Sequence, residues 1–121
     1  MIFKILIVDD DYINRRLLVS LLKKKLYQIE IIESIDGYDA LQRCKEHNDL
    51  QLILLDIEMP NMDGAEFLKH YLQRPHDIPI IAVSSNDLRI KEIKDLGASA
   101  FIVKPITEEK LIKAIIATQK S

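Results

Sequence analysis

Short apolar runs that alternate with segments of helical periodicity predict an α/β fold, a (βα)5 chain whose strands form one parallel sheet covered by helices on both faces. Three observations carry this expectation. Runs rich in Ile, Val and Leu occur at 3–8, 29–32, 52–55, 80–83 and 101–103. The first, third and fourth are apolar at nearly every position, as strands buried on both faces should be. Between and after them, apolar residues recur at helical spacing.

The five predicted helices follow in order. Ile13, Leu17, Leu21 and Leu22 mark the first stripe, and Leu41 with Cys44 the second. Phe67, Leu68, Tyr71 and Leu72 mark the third, Ile93 and Leu96 the fourth, and Leu111, Ile112, Ile115 and Ile116 the fifth. The punctuation agrees. Asp36-Gly37, Asp63-Gly64 and Gly97 stand where elements should begin or end, and Pro79 precedes the fourth strand. Thr107 with Glu108 and Glu109 reads as a helix start with acidic residues in its first turn.

The chain has 121 residues, with 48% hydrophobic and 30% charged side chains. That suits one globular domain over 1–121, able to bury roughly two-thirds of its unfolded surface without metal or disulfide staples. A net charge of −2 and a pI near 5.9 argue against a nucleic-acid partner. Lys23, Lys24 and Lys25 read as a solvated helix terminus. The lone Cys44 excludes an internal disulfide and falls on an apolar helical face, so it reads as a small buried hydrophobe. There is no basic region before a long apolar stretch, and no apolar run nears the ~18 residues of a membrane span. A cytoplasmic location without membrane association is expected, and no output domain is expected after the last helix.

In an open parallel α/β sheet, ligands bind at the carboxyl ends of the strands. The polar residues there are Asp9, Asp10 and Asp11 after the first strand, and Asp56 and Glu58 after the third. Ser84, Ser85 and Asn86 follow the fourth, Lys104 and Pro105 the fifth, and Glu33-Ser34 the second. Asp9, Asp10 and Asp56 gathered at one edge would repel one another unless a hard divalent cation joined them, which points to Mg2+ or Mn2+. The bland alternative makes Asp9 to Asp11 a helix cap; it leaves Asp56, at the end of an apolar strand, unexplained. Lys104 is placed to offset a phosphoryl group, and Ser84 offers a hydroxyl donor, each weak alone. His47, His70 and His76 show no metal spacing, and Met59 and Met62 read as loop packing.

With these residues in view, the chain resembles the receiver domains of two-component response regulators, in a stand-alone, chemotaxis-regulator-like architecture. The resemblance runs along essentially the whole length. It rests on Ile5-Leu6-Ile7-Val8-Asp9-Asp10-Asp11, on Leu55-Asp56-Ile57-Glu58-Met59-Pro60-Asn61-Met62-Asp63-Gly64, on Pro79-Ile80-Ile81-Ala82-Val83-Ser84, and on Gly97-Ala98 with Phe101 to Pro105.

That resemblance implies a flavodoxin-like strand order of 2-1-3-4-5. It implies phosphorylation on Asp56 by a sensor histidine kinase or histidine phosphotransfer protein. Asp9, Asp10, Asp56 and the backbone carbonyl of Glu58 would hold Mg2+, with Asp9 acting mostly through water. Lys104 and Ser84 would contact the phosphoryl group, and Phe101 would switch with Ser84. The Lys104-Pro105 peptide is expected to be cis. An unnamed partner would read the face of the fourth helix, fifth strand and fifth helix. Glu58 and Asn86 occupy positions that vary in the family, beside the path of attacking water.

Two other functions compete. A haloacid-dehalogenase-like phosphatase also uses an aspartyl phosphate, and Asp9-Asp10-Asp11 matches its Asp-x-Asp core; the short chain and the Met-Pro-x-Met-Asp-Gly stretch speak against it. A degenerate receiver that only binds a partner has no support, because the expected side chains are all present.

Overall fold

A computed structural model describes residues 2–71 and 78–119. Its elements run β1 (Phe3–Val8), α1 (Tyr12–Lys25), β2 (Ile29–Ser34), α2 (Gly37–Glu46), β3 (Leu52–Asp56), α3 (Gly64–Tyr71), β4 (Ile80–Ser84), a 3₁₀ turn (Asp87–Arg89), α4 (Ile90–Asp95), β5 (Ala100–Val103) and α5 (Glu108–Gln119). All strands are parallel and lie in the order β2-β1-β3-β4-β5. This is the flavodoxin-like fold. Leu72 and His76 lie outside the described residues.

The side-chain alternation of a strand splits the core in two. Leu6, Val8, Ile53, Leu55 and Ala82 face α2, α3 and α4. Ile5, Ile7, Leu54, Ile81 and Val83 face α1 and α5. The three central strands are therefore apolar at successive positions, and β3 and β4 are buried throughout.

Polar side chains set the helix ends. Asp11 caps α1 by accepting from the amides of Ile13 (2.8 Å) and Asn14 (3.3 Å). Asp36 accepts from Asp39 N, Asp63 from Glu66 N and the Thr107 hydroxyl from Lys110 N, at 2.8, 2.9 and 3.2 Å. Past α4, Gly97 takes φ 107°, and the amides of Gly97 and Ala98 return to the carbonyls of Lys94 and Ile93. That is a Schellman motif, and it explains the glycine.

Two kinds of expectation need correction, helix faces and a strand end. The buried face of α1 does not include Ile13 and Leu17, which are 71% and 41% exposed; Leu18 and Val19 are buried with the expected Leu22, and Leu21 packs partly buried against the same core. The true stripe is 15-18-19-22. Its first position holds Arg15, whose guanidinium is tied to the Asp9 carbonyl and to Glu33, so the pattern is masked by a charge. In α5, likewise, Ala114 joins Leu111 and Ile115 in the core, while Ile116 is exposed. The second correction lengthens β2, which includes Glu33 and Ser34 because its ladder with β1 continues to the pair Val8 and Ser34.

Gly64 packs against the loop that follows β3. A Cβ there would sit 2.7 Å from Ile57 Cα and 2.8 Å from the Asp56 carbonyl oxygen, both backbone atoms that cannot yield cheaply. At Gly37 the nearest atoms to a Cβ would all belong to the Met62 side chain, whose Cγ and Sδ (2.6 and 2.8 Å) can turn while its Cβ (2.9 Å) moves only with the backbone. Gly64→Ala should therefore cost about 1–3 kcal/mol in urea unfolding and Gly37→Ala clearly less. Equal costs would mean that the loop after β3 adapts.

Candidate functional site

Parallel strands end together, so the residues that follow them meet at one edge. Asp9 follows β1 and is 2% exposed; Asp56 closes β3 and is 3% exposed; Asp10 is open to solvent. One carboxylate oxygen from each of Asp9, Asp10 and Asp56 lies within 4.8 Å of the others. Asp11 alone serves as the helix cap. Asp9 instead uses Oδ1 to accept the Asp11 amide at 2.8 Å, and Arg15 steadies the same turn by donating to the Asp9 carbonyl at 2.8 Å.

Lys104, in the loop after β5, brings Nζ to 3.4 Å from Asp56 Oδ1, which also accepts from the Glu58 amide at 3.2 Å. Lys104 N donates to the Ser84 carbonyl, which fixes the two loops side by side. The Lys104-Pro105 peptide is cis. Ser84 is fully buried, and its hydroxyl points to the Glu58 carboxylate at 2.5 Å. Phe101 is half-buried and pairs with Ala82, one pleat before Ser84 on the same face of the sheet. Beyond it, Ala100, Phe101, Ile102 and Val103 line an open groove of about 400 Å³ with Lys110 and Lys113 of α5.

The electrostatics are those of anions crowded in a poorly solvated corner. Burial first, and then the negative charge of Asp9, push the Asp56 carboxyl up to about 7, against the pull of Lys104. Burial also raises Asp9, with Asp10 adding to it and the Asp11 amide and Lys104 opposing. Burial would raise Glu58 as well, but the Ser84 hydroxyl and the Ser85 amide and hydroxyl hold it below the usual carboxylate range. Among the described residues, the groups able to ligate a metal that converge here are carboxylates, hard oxygen donors suited to Mg2+ or Mn2+. A divalent cation would relieve the repulsion that raises Asp56.

The remaining candidates fall elsewhere. His47 ends α2, His70 is exposed on α3, and Met59 and Met62 are buried in the loop after β3. Cys44 is buried against the sheet. The side chains of Glu58, Ser85 and Arg15 make contacts around the site that sequence reasoning does not assign; the Ser84-Ser85 doublet at a strand end is the visible sign of the second.

Residues 5–116 match the family described as the response regulator receiver domain. The chain belongs to that family. Among its relatives, chemotaxis protein CheY of Bacillus subtilis is 34% identical over 98% of both chains. The protein-glutamate methylesterase/protein-glutamine glutaminase of Hydrogenovibrio crunogenus is 40% identical over 84% of this chain, and the histidine kinase BarA of Escherichia coli is 37% identical over 88%. This chain spans only 28% and 12% of those two longer proteins. A Borrelia burgdorferi CheX-CheY-BeF3-Mg2+ complex contains a chain that superposes with TM-score 0.90 at 28% identity, covering 98% of this chain and 90% of that one. In this receiver domain, no described helix is long and apolar enough to cross a membrane.

The raised Asp56 carboxyl has a consequence for stability. Unfolded, it titrates near 3.9; folded, near 7. Between those values the folded state holds a proton that the unfolded chain has released, so this group's contribution is complete below the lower value and is lost as pH rises through the upper one. Without divalent cations, Asp56→Asn should therefore stabilise the domain by on the order of 1–2 kcal/mol more at about pH 8 than at about pH 5. Urea midpoints at the two pH values measure this, and a pH-independent difference would contradict the assigned cause.

Proposed function

We propose that this receiver domain takes a phosphoryl group onto Asp56 from the phosphohistidine of a sensor kinase or a phosphotransfer protein in the cytoplasm, and changes conformation to control a protein partner. The observation that carries the reading is the placement of Lys104 Nζ 3.4 Å from a buried carboxylate that shares its corner with Asp9 and Asp10.

A carboxylate oxygen of Asp56 attacks phosphorus in line with the donor, the P–N bond to the imidazole breaks, and the imidazole leaves with that electron pair. Lys104 meets the negative equatorial oxygens, so the protein's contribution is positioning and charge. Asp9, Asp10, Asp56 and the Glu58 carbonyl would hold Mg2+, which when bound supplies positive charge to the same oxygens. Ser84 donates its hydroxyl to a phosphoryl oxygen after transfer. Movement of the loop after β4 then lets Phe101 turn inward, and the α4-β5-α5 face, with its apolar groove and its lysines, changes shape for the partner. The two conformations exchange as a population, and the acyl phosphate biases them only through contacts that differ between them.

Intact-mass measurement after incubation with acetyl phosphate tests the acceptor. One added phosphoryl group is expected when Mg2+ is present, and none in Asp56→Ala or with chelator. Lys104→Ala should slow transfer by roughly two or more orders of magnitude. Turnover of phosphate esters that Asp9→Ala abolishes and Asp56→Ala spares would replace this reading with the phosphatase. A wild-type chain that gains no phosphoryl group and binds no beryllofluoride would be a binding module alone.

A further inference from the structure

The Glu58 side chain leaves the loop after β3 and grips the loop after β4. Its Oε1 accepts the Ser85 amide at 2.8 Å and the Ser85 hydroxyl at 2.9 Å, while Oε2 accepts the Ser84 hydroxyl at 2.5 Å. One carboxylate thus binds three donors on two successive residues of the neighbouring loop. The Ser84 oxygen also accepts the Asn86 amide at 3.0 Å, and it lies 3.3 Å from the Asn86 carbonyl. Ser84 has one hydroxyl proton to donate, and in the resting arrangement the shortest contact directs it to Glu58.

Phosphoryl transfer to Asp56 introduces a second acceptor for that proton. We propose that Glu58 is a positioning residue that latches Ser84 away from the phosphoryl site, so that activation requires Ser84 to exchange one anionic partner for another. The proposal rests on Asp56 as the acceptor. It predicts two separable effects of the Glu58 side chain: its charge opposes a nearby anion whatever stands at position 84, whereas its hold on the hydroxyl exists only when Ser84 is present. Removing the latch should free Ser84 and draw the loop after β4 toward the phosphorylated arrangement.

A double-mutant cycle separates the two effects. Beryllofluoride, a tetrahedral stand-in for the phosphoryl group, is titrated in Mg2+ by calorimetry into the wild-type chain, Glu58→Ala, Ser84→Ala and the double variant. A charge-assisted hydrogen bond to a buried hydroxyl predicts that Glu58→Ala tightens binding roughly tenfold when Ser84 is present. The same change should tighten binding less than about twofold when Ser84 is absent. Glu58→Gln keeps the shape but loses the charge and one of the two acceptor oxygens, which weakens the hold on the serines, so it should tighten binding by a smaller factor with the same dependence on Ser84. Equal tightening in both backgrounds would reduce Glu58 to a repelling charge and overturn the latch. So would unchanged or weakened binding in Glu58→Ala and Glu58→Gln. A wild-type chain that fails to bind beryllofluoride overturns the acceptor reading and the latch together; one that binds it while the variants show no coupling overturns the latch alone.

Discussion

The conflict between burial and charge at Asp56 organises the rest of the molecule. A carboxylate at the end of a strand with no exposed residue, beside the equally buried Asp9, is unfavourable without compensation. Compensation comes from one cation, Lys104, and from the Glu58 amide, and it is incomplete: the carboxyl still rises to about 7. The fold tolerates that cost because the strands beneath are apolar on both faces and rigidly paired. The same conflict favours any group that brings positive charge to the site. Dry walls strengthen each electrostatic contact within them.

The sheet order explains why these residues meet. β1 and β3 are neighbours although a helix, an edge strand and a second helix separate them in sequence, and β4 and β5 follow on the other side of β3. Asp9, Asp56, Ser84 and Lys104 consequently stand in one row across four adjacent strand ends. Glu33 and Ser34, at the end of the edge strand β2, stay outside the acidic cluster. Glu33 instead pairs with Arg15 and Arg16, and Arg15 in turn holds the turn that carries Asp9. The edge strand thus contributes by fixing the phase of α1.

Most of this was legible in the sequence. The alternation of apolar runs and helical stripes, the polar residue after each strand and the Met-Pro-x-Met-Asp-Gly stretch led to the fold, the strand order and the gathered carboxylates. What escaped had physical reasons. The α1 face is hard to place from sequence because Arg15 occupies a core-facing position, and a pattern of hydrophobicity has no way to register a charge that finds its partners in a backbone carbonyl and a neighbouring strand. In α5, the small Ala114 faces the sheet where size alone would favour Ile116. The reach of Glu58 to Ser84 and Ser85 was invisible because it joins two loops 26 and 27 residues apart in the chain.

That bridge bears on how a buried site can move at all. The central strands are buried and tightly paired, so rearrangement is easiest in the loops above the sheet. Among the contacts that tie those loops are the Lys104 amide on the Ser84 carbonyl, the Ile57 amide on the Val83 carbonyl, the Glu58 carboxylate on Ser84 and Ser85, and Lys104 Nζ on Asp56. The first two are backbone bonds between adjacent strand ends. The third is made by side chains and can be exchanged for a contact of the same kind, an anion accepting from the same hydroxyl. A switch built on such an exchange loses little hydrogen-bond energy in either direction, and a small difference between its two states can then be tipped by a single covalent phosphoryl group.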